Sequence, residues 1–343
     1  MLLTPVLEHP LHSQAPTDSV IPRQIRETKI PHPILDLSEA VRIGSENGEY
    51  DAFGRVTDAV FLESGAIAIA DAILAQVVVF SQDARWVRSI GRSGDGPGEF
   101  RLPAVLAAGA DDSLLVWDAR TRTISFFDAQ GKYVRSFRTP PQWIVSSMRS
   151  LPGGQLLVSA FDPQSGRVLH IVDMTGAVLR SFGPRPSRPL LEPFQATLLG
   201  GYIDVMGGKV AYTNKSPYEI WLFEETNAKV FCAGRPNWTS DPRTVVSRST
   251  EVAHLDWNSY IHSARILFLS DSLLLNVLFD PVAERRTVDL VTIDCRLLRR
   301  QEVHSPVMFT DRWKGRLLAV RNLDYPEVVL YDYTVGSARR GEQ

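Results

Sequence analysis

The chain has 343 residues, of which 44% are hydrophobic and 22% charged, the proportions of a globular protein able to fill a large core. A formal net charge of −2 supplies no overall basic field that would draw it onto nucleic acid or an anionic membrane surface. No stretch reaches the ~20 continuous apolar residues of a spanning helix, so neither nucleic acid nor membrane is an expected partner.

Residues 1–33 carry Pro5, Pro10, Pro16, Pro22, Pro31 and Pro33 and read as an extended or disordered arm. The opening has no basic n-region, and Glu8, His9 and Pro10 break its apolar stretch before a signal-peptide core can form. As given, the chain reads as cytoplasmic; removal of an export signal would make it periplasmic or secreted.

Beyond the arm the sequence repeats. Asp71 and Asp118 are 47 residues apart, as are Phe80 and Phe127, and Val87-Arg88-Ser89-Ile90 returns at the same spacing as Val134-Arg135-Ser136-Phe137. A third copy follows after 45 residues, with Asp128-x-x-Gly131 recurring as Asp173-x-x-Gly176. Within each unit short apolar runs alternate with turn signals, giving four strands per repeat. A period of about 45 residues with four strands is the signature of propeller blades.

The expected fold is therefore all-β: a six-bladed propeller of four-stranded antiparallel blades spanning 34–335, followed by a tail, 336–343. Blades are expected over about 54–90, 102–138, 143–182, 196–233, 260–303 and 307–335. The last has only three strands of its own. Residues 34–44 supply the fourth and close the ring, which removes open sheet edges. Asp71, Asp118 and Asn214 recur at the end of the second strand and read as turn-capping groups. Cys232 and Cys295 lack metal spacing; the sequence leaves one bridge between them open, and two free, half-buried thiols are the preferred reading.

Gly94-Asp95-Gly96-Pro97-Gly98-Glu99-Phe100-Arg101-Leu102-Pro103 leads into a strand and lacks Gly-Lys-Ser/Thr, so it is a blade connection rather than a phosphate loop. With the segment that follows, it resembles an NHL repeat, in particular that of bacterial six-bladed β-propeller proteins. The resemblance covers residues 40–182. It implies the fold; relatives of this architecture include binding and scaffold proteins, lactonases, strictosidine-synthase-like cyclases and amidating lyases.

Aligning the innermost strands predicts the wall of the central channel: Val56, Asp58, Val60, Pro103, Val105, Val145, Ser147, Arg149, Leu199, Gly201, His262, Ala264 and Met308. This wall is mostly apolar. One carboxylate is too few for calcium and one histidine too few for zinc, so no metal or other cofactor is expected. Asp58 and His262 are the candidate acid-base groups and Arg149 a candidate binding group. The long connections 183–196 and 233–260 carry aromatic and basic side chains, and Trp143, Phe194, Trp238, His254, Trp257 and Tyr260 are expected to roof a pocket beside the channel mouth. The reading is a monomeric binding module for a small molecule, peptide or protein; the alternative is a metal-independent cyclase, lactonase, hydrolase or lyase acting on an apolar metabolite.

Overall fold

The computed structural model describes residues 23–28, 33–184, 200–224, 227–234, 243–246, 253–256, 261–281, 283, 285–303, 307–322 and 324–337. They form six four-stranded antiparallel blades around one axis. The innermost strands are Val56–Phe61, Pro103–Ala108, Ser147–Leu151, Tyr202–Met206, His262–Ser270 and Val307–Trp313 for blades one to six. In blades one to five each next strand in sequence lies one place further out. Blade six takes its outermost strand from Pro33–Ile43, paired antiparallel to Pro326–Ser337 from Ile43↔Val328 to Pro33↔Ser337. The ring is closed, as the sequence predicts.

Turn chemistry explains why the strands reverse where they do. Asp128 accepts the amides of Gln130 and Lys132, and Asp173 those of Thr175 and Ala177, while Gly131 and Gly176 take φ of 79° and 90°. Only glycine does this without steric cost. Asp71 and Asp118 cap more than turns. Asp71 accepts four amides, from Gly54, Arg55, Ile73 and Leu74. Asp118 accepts four likewise, from Arg101, Leu102, Arg120 and Thr121, at 2.6–2.9 Å. Each ties its second strand to the incoming chain of its own blade. Asn214 does not act in this way: its amide donates to Glu219.

Blades pack face to face through apolar clusters. Phe100, from the glycine-rich connection, is fully buried with Ile90, Val116 and Phe127 between blades one and two. Its loop is held by Phe100 N–H to the Arg92 carbonyl and by Glu99, which accepts from Gly96 N and Arg92 Nε.

The cysteines correct the expectation of free thiols. Cys232 and Cys295 form a disulfide, both residues are buried, and their Cα atoms lie 5.4 Å apart. Sixty-three residues separate them in sequence, yet the ring sets the outermost strand of blade four beside the last turn of blade five. The arm reaches this seam too. Arg23–Gln24 pairs in parallel with Cys232–Ala233, and Arg26–Glu27 with Arg296–Leu297. Ile25, between them, is fully buried against both cysteines, Ile220 and Leu297.

Candidate functional site

A cavity of about 420 Å³ lies at the channel mouth on the face where the innermost strands begin, and all six blades line it. Its geometry depends on a repeated irregularity. In blades one, two, five and six the innermost strand bulges, leaving Thr57, Ala104, Ala264 and Thr310 without a partner in the ladder. All four of these residues line the cavity. A bulge breaks the strict alternation of a strand and re-aims side chains. So both members of the pairs Ala104-Val105 and Ala264-Arg265 face the same space.

Asp58 is the one carboxylate among the described lining residues. It is buried and accepts from Ala59 N at 3.1 Å, Leu106 N at 3.0 Å and Arg265 at 3.0 Å. Its partner is thus an arginine of blade five, two places round the ring. Arg265 also lies over the Tyr202 ring, 5.0 Å from the centroid, and burial pushes the Tyr202 phenol up from its ordinary pKa. Further along the channel a second ionic layer joins three blades. Arg149 meets Asp204 at 3.2 Å and Asp311 at 3.5 Å, and Arg312 meets Asp204 at 3.0 Å. Asp204 also accepts Phe268 N, and Asp311 accepts Phe61 N. Burial opposes the charge of Arg149, but Asp311, Asp204 and Asp58 outweigh it and hold the guanidinium above its usual pKa. Burial raises Asp311 against the pull of Arg149.

Two further cations face the cavity. Lys215 donates to Ser146 Oγ at 3.4 Å, and burial pushes its ammonium down to about 8. Its backbone carbonyl accepts Ser263 N, which fixes it between blades four and five. Arg286 lies 4.7 Å from the Phe279 ring centroid, and burial lowers its pKa.

Of the sequence-predicted wall, Val56, Asp58, Val105, Val145, Ala264 and Met308 line this cavity. Val60 and Ser147 are packed inside blades, and Arg149 belongs to the second ionic layer. Pro103 begins its strand just before the bulge and is buried. A Cβ at Gly201 would stand 1.8 Å from the Thr213 carbonyl oxygen, so this is a close backbone approach rather than a wall. His262 is not among the lining residues; its ring sits edge-on to Phe279. Trp143 corrects the expectation of a roof: it is buried and stacked on His170, with ring centroids 4.2 Å apart. Leu199, Phe194, Trp238, Trp257 and Tyr260 lie outside the described residues. His254 is in a two-stranded hairpin, Arg243–Val246 with Ala253–Asp256, where an irregular loop is expected from sequence.

The expected apolar channel is corrected as well, because sequence reasoning missed Lys215, Arg265, Arg286 and Tyr202. A lone arginine in the apolar run Ala264–Leu269 was a legible signal for Arg265. Lys215 and Arg286 sit at strand ends, where basic residues carry no such signal. Among the described residues no group of three or more His, Cys, Asp or Glu is placed to hold a metal ion, and no helix is long and apolar enough to cross a membrane.

These features define the class of the chain: a closed six-bladed β-propeller with a polar cavity at one mouth. Residues 53–165 match the model of a family described as 6-bladed beta-propeller. No curated protein matches the chain. Among solved structures, a candidate exported protein of Bacteroides fragilis is similar at TM-score 0.61 and 12% identity, over 91% of this chain and 99% of that one. A DUF4221 family member from Bacteroides vulgatus is similar at TM-score 0.58 and 10% identity, over 89% and 99%. The Swd1 propeller domain of Myceliophteria thermophila gives 0.51 and 12%, over 87% and 100%. At such identities the likeness is one of fold.

Proposed function

We propose that this propeller is a non-catalytic binding module that takes a small molecule in the cavity at its channel mouth. The observation that carries this reading is the state of Asp58. The one carboxylate lining the cavity among the described residues is buried and engaged by three donors, so it anchors Arg265 and the blade-one to blade-two seam instead of serving substrate. With His262 off the lining, the enzymatic alternative lacks its acid-base pair. We read the Gly94–Pro103 element as NHL-like, and its docking of Phe100 as architectural. We also place the protein in an oxidising compartment, periplasmic or extracellular. The buried Cys232–Cys295 bridge supports this, since such bonds persist where thiols are not kept reduced.

The test is titration with two small aromatic dyes, neutral N-phenyl-1-naphthylamine and anionic 8-anilino-1-naphthalenesulfonate. At least one should bind saturably and equimolarly. Ala104→Trp fills the cavity from an unpaired bulge position and leaves the ladder intact. It should abolish that binding with the melting temperature unchanged. Undiminished binding by this variant would refute the cavity as the site.

A further inference from the structure

We infer that the cavity selects a small organic anion, an acid with an apolar body, whose head group is held by Lys215 and Arg286 above the Asp58–Arg265 pair. This rests on the cavity being the binding site. Among the described residues three cations, Lys215, Arg265 and Arg286, line the cavity against the one carboxylate of Asp58. The second ionic layer does not offset this excess, because Arg149 and Arg312 are balanced there by Asp204 and Asp311. Among the described residues Lys215 has no carboxylate partner; its contacts are the Ser146 hydroxyl and the face of Tyr202, 5.9 Å away. Arg286 likewise has no carboxylate partner, and it lies against Phe279.

The donors point the same way. Arg265 Nε and Arg286 Nε are both buried and have no hydrogen-bond partner among the described residues. Burying an unpaired cation and leaving guanidinium N–H groups unsatisfied are both costly. A carboxylate, phosphate or sulfonate relieves both costs at once, since its oxygens accept charge-assisted bonds from arginine and lysine together. The excess positive charge disfavours a metal cation or an amine. An apolar body fits against Val56, Val105, Ile144, Val145 and Met308, beside which the hydroxyls of Thr57 and Thr310 and the amide of Asn322 are the further polar groups of the lining.

The same dye pair separates the claims. The anionic dye should bind about tenfold or more tightly than the neutral one, and lose that advantage as salt is raised. Lys215→Met and Arg286→Met should each weaken the anionic dye by about fivefold or more and leave the neutral dye within about twofold. Lys215→Arg should retain the preference. Inorganic phosphate alone should fail to displace the dye at concentrations near its Kd, because it has no apolar body. If both dyes bind equally and neither methionine variant discriminates, while Ala104→Trp still blocks binding, the anion inference falls and the cavity reading stands. Displacement by micromolar phosphate would overturn the apolar-body claim. If Ala104→Trp has no effect, the cavity reading itself is refuted.

Discussion

Blades one and two and blades four and five share one architecture but are held together by different means. In blades one and two each second strand ends in an aspartate that gathers four backbone amides. The anchor is local, reaching at most 17 residues along the chain. In blade four the corresponding residue is Asn214, whose amide donates to Glu219 and which, among the described residues, gathers no loop amides. Blades four and five are joined instead by the Cys232–Cys295 bridge and by the short strands Arg23–Gln24 and Arg26–Glu27, one on the outer edge of each blade. A blade that lacks the local anchor is secured by distant parts of the chain.

The sharpest way to break this comparison is to remove the anchors. Asp118→Ala leaves four amides without their acceptor and should cost about 4–5 kcal/mol, whereas Asn214→Ala should cost about 1 kcal/mol. Denaturant midpoints measure both, and equal losses would end the distinction. Replacing both cysteines by serine opens a loop spanning 63 residues. The entropic model values that closure at about 4 kcal/mol. Loss of Arg23–Glu27 pairing should follow, seen as faster amide exchange at Ile25 and Arg26, whose amides donate to Ala233 and Cys295.

Blade three supplies a test by pH. His170 is fully buried, and desolvation pushes its imidazole down to about 4. The unfolded chain holds the proton at its ordinary value near 6.5, so between these values unfolding takes up a proton. Stability should therefore fall as pH drops from about 6.5 to 4, by about 3 kcal/mol once below both. His170→Gln should flatten that part of the profile, measured by chemical denaturation across pH. The smallest effect expected is at Ala84, which has φ 58° in the blade-one turn corresponding to Gly131 of blade two. Ala84→Gly should stabilise by about 0.5 kcal/mol, the left-handed strain exceeding the entropy that glycine adds to the unfolded chain.

The regular part of the ring was legible because its code is local. The 47-residue return of Asp71 as Asp118 marks strand ends that cap their own neighbourhoods, and the pairing of Ile43 with Val328 follows from counting one strand short. The candidate site was legible only in part. Val56, Asp58, Val105, Val145, Ala264 and Met308 were reachable by alternation, but alternation turns Arg265 away from Ala264, and only its lone charge in an apolar run signalled it, because the bulge at Ala264 turns two consecutive side chains inward. Trp143 looked like a binding aromatic, yet packing on His170 buries it.

By itself, then, the sequence determined the strand grammar, the number of blades and the place of ring closure. Each is written in contiguous residues whose backbone preferences and periodicity act within one repeat. Only the tertiary structure decided that Cys232 meets Cys295, that Asp58 pairs with Arg265 across 207 residues, and that Lys215 and Arg286 leave the cavity positively charged. The reason is geometric. A closed ring brings together residues from opposite ends of the chain, and a one-residue bulge, silent in the repeat, decides which side chains face its axis.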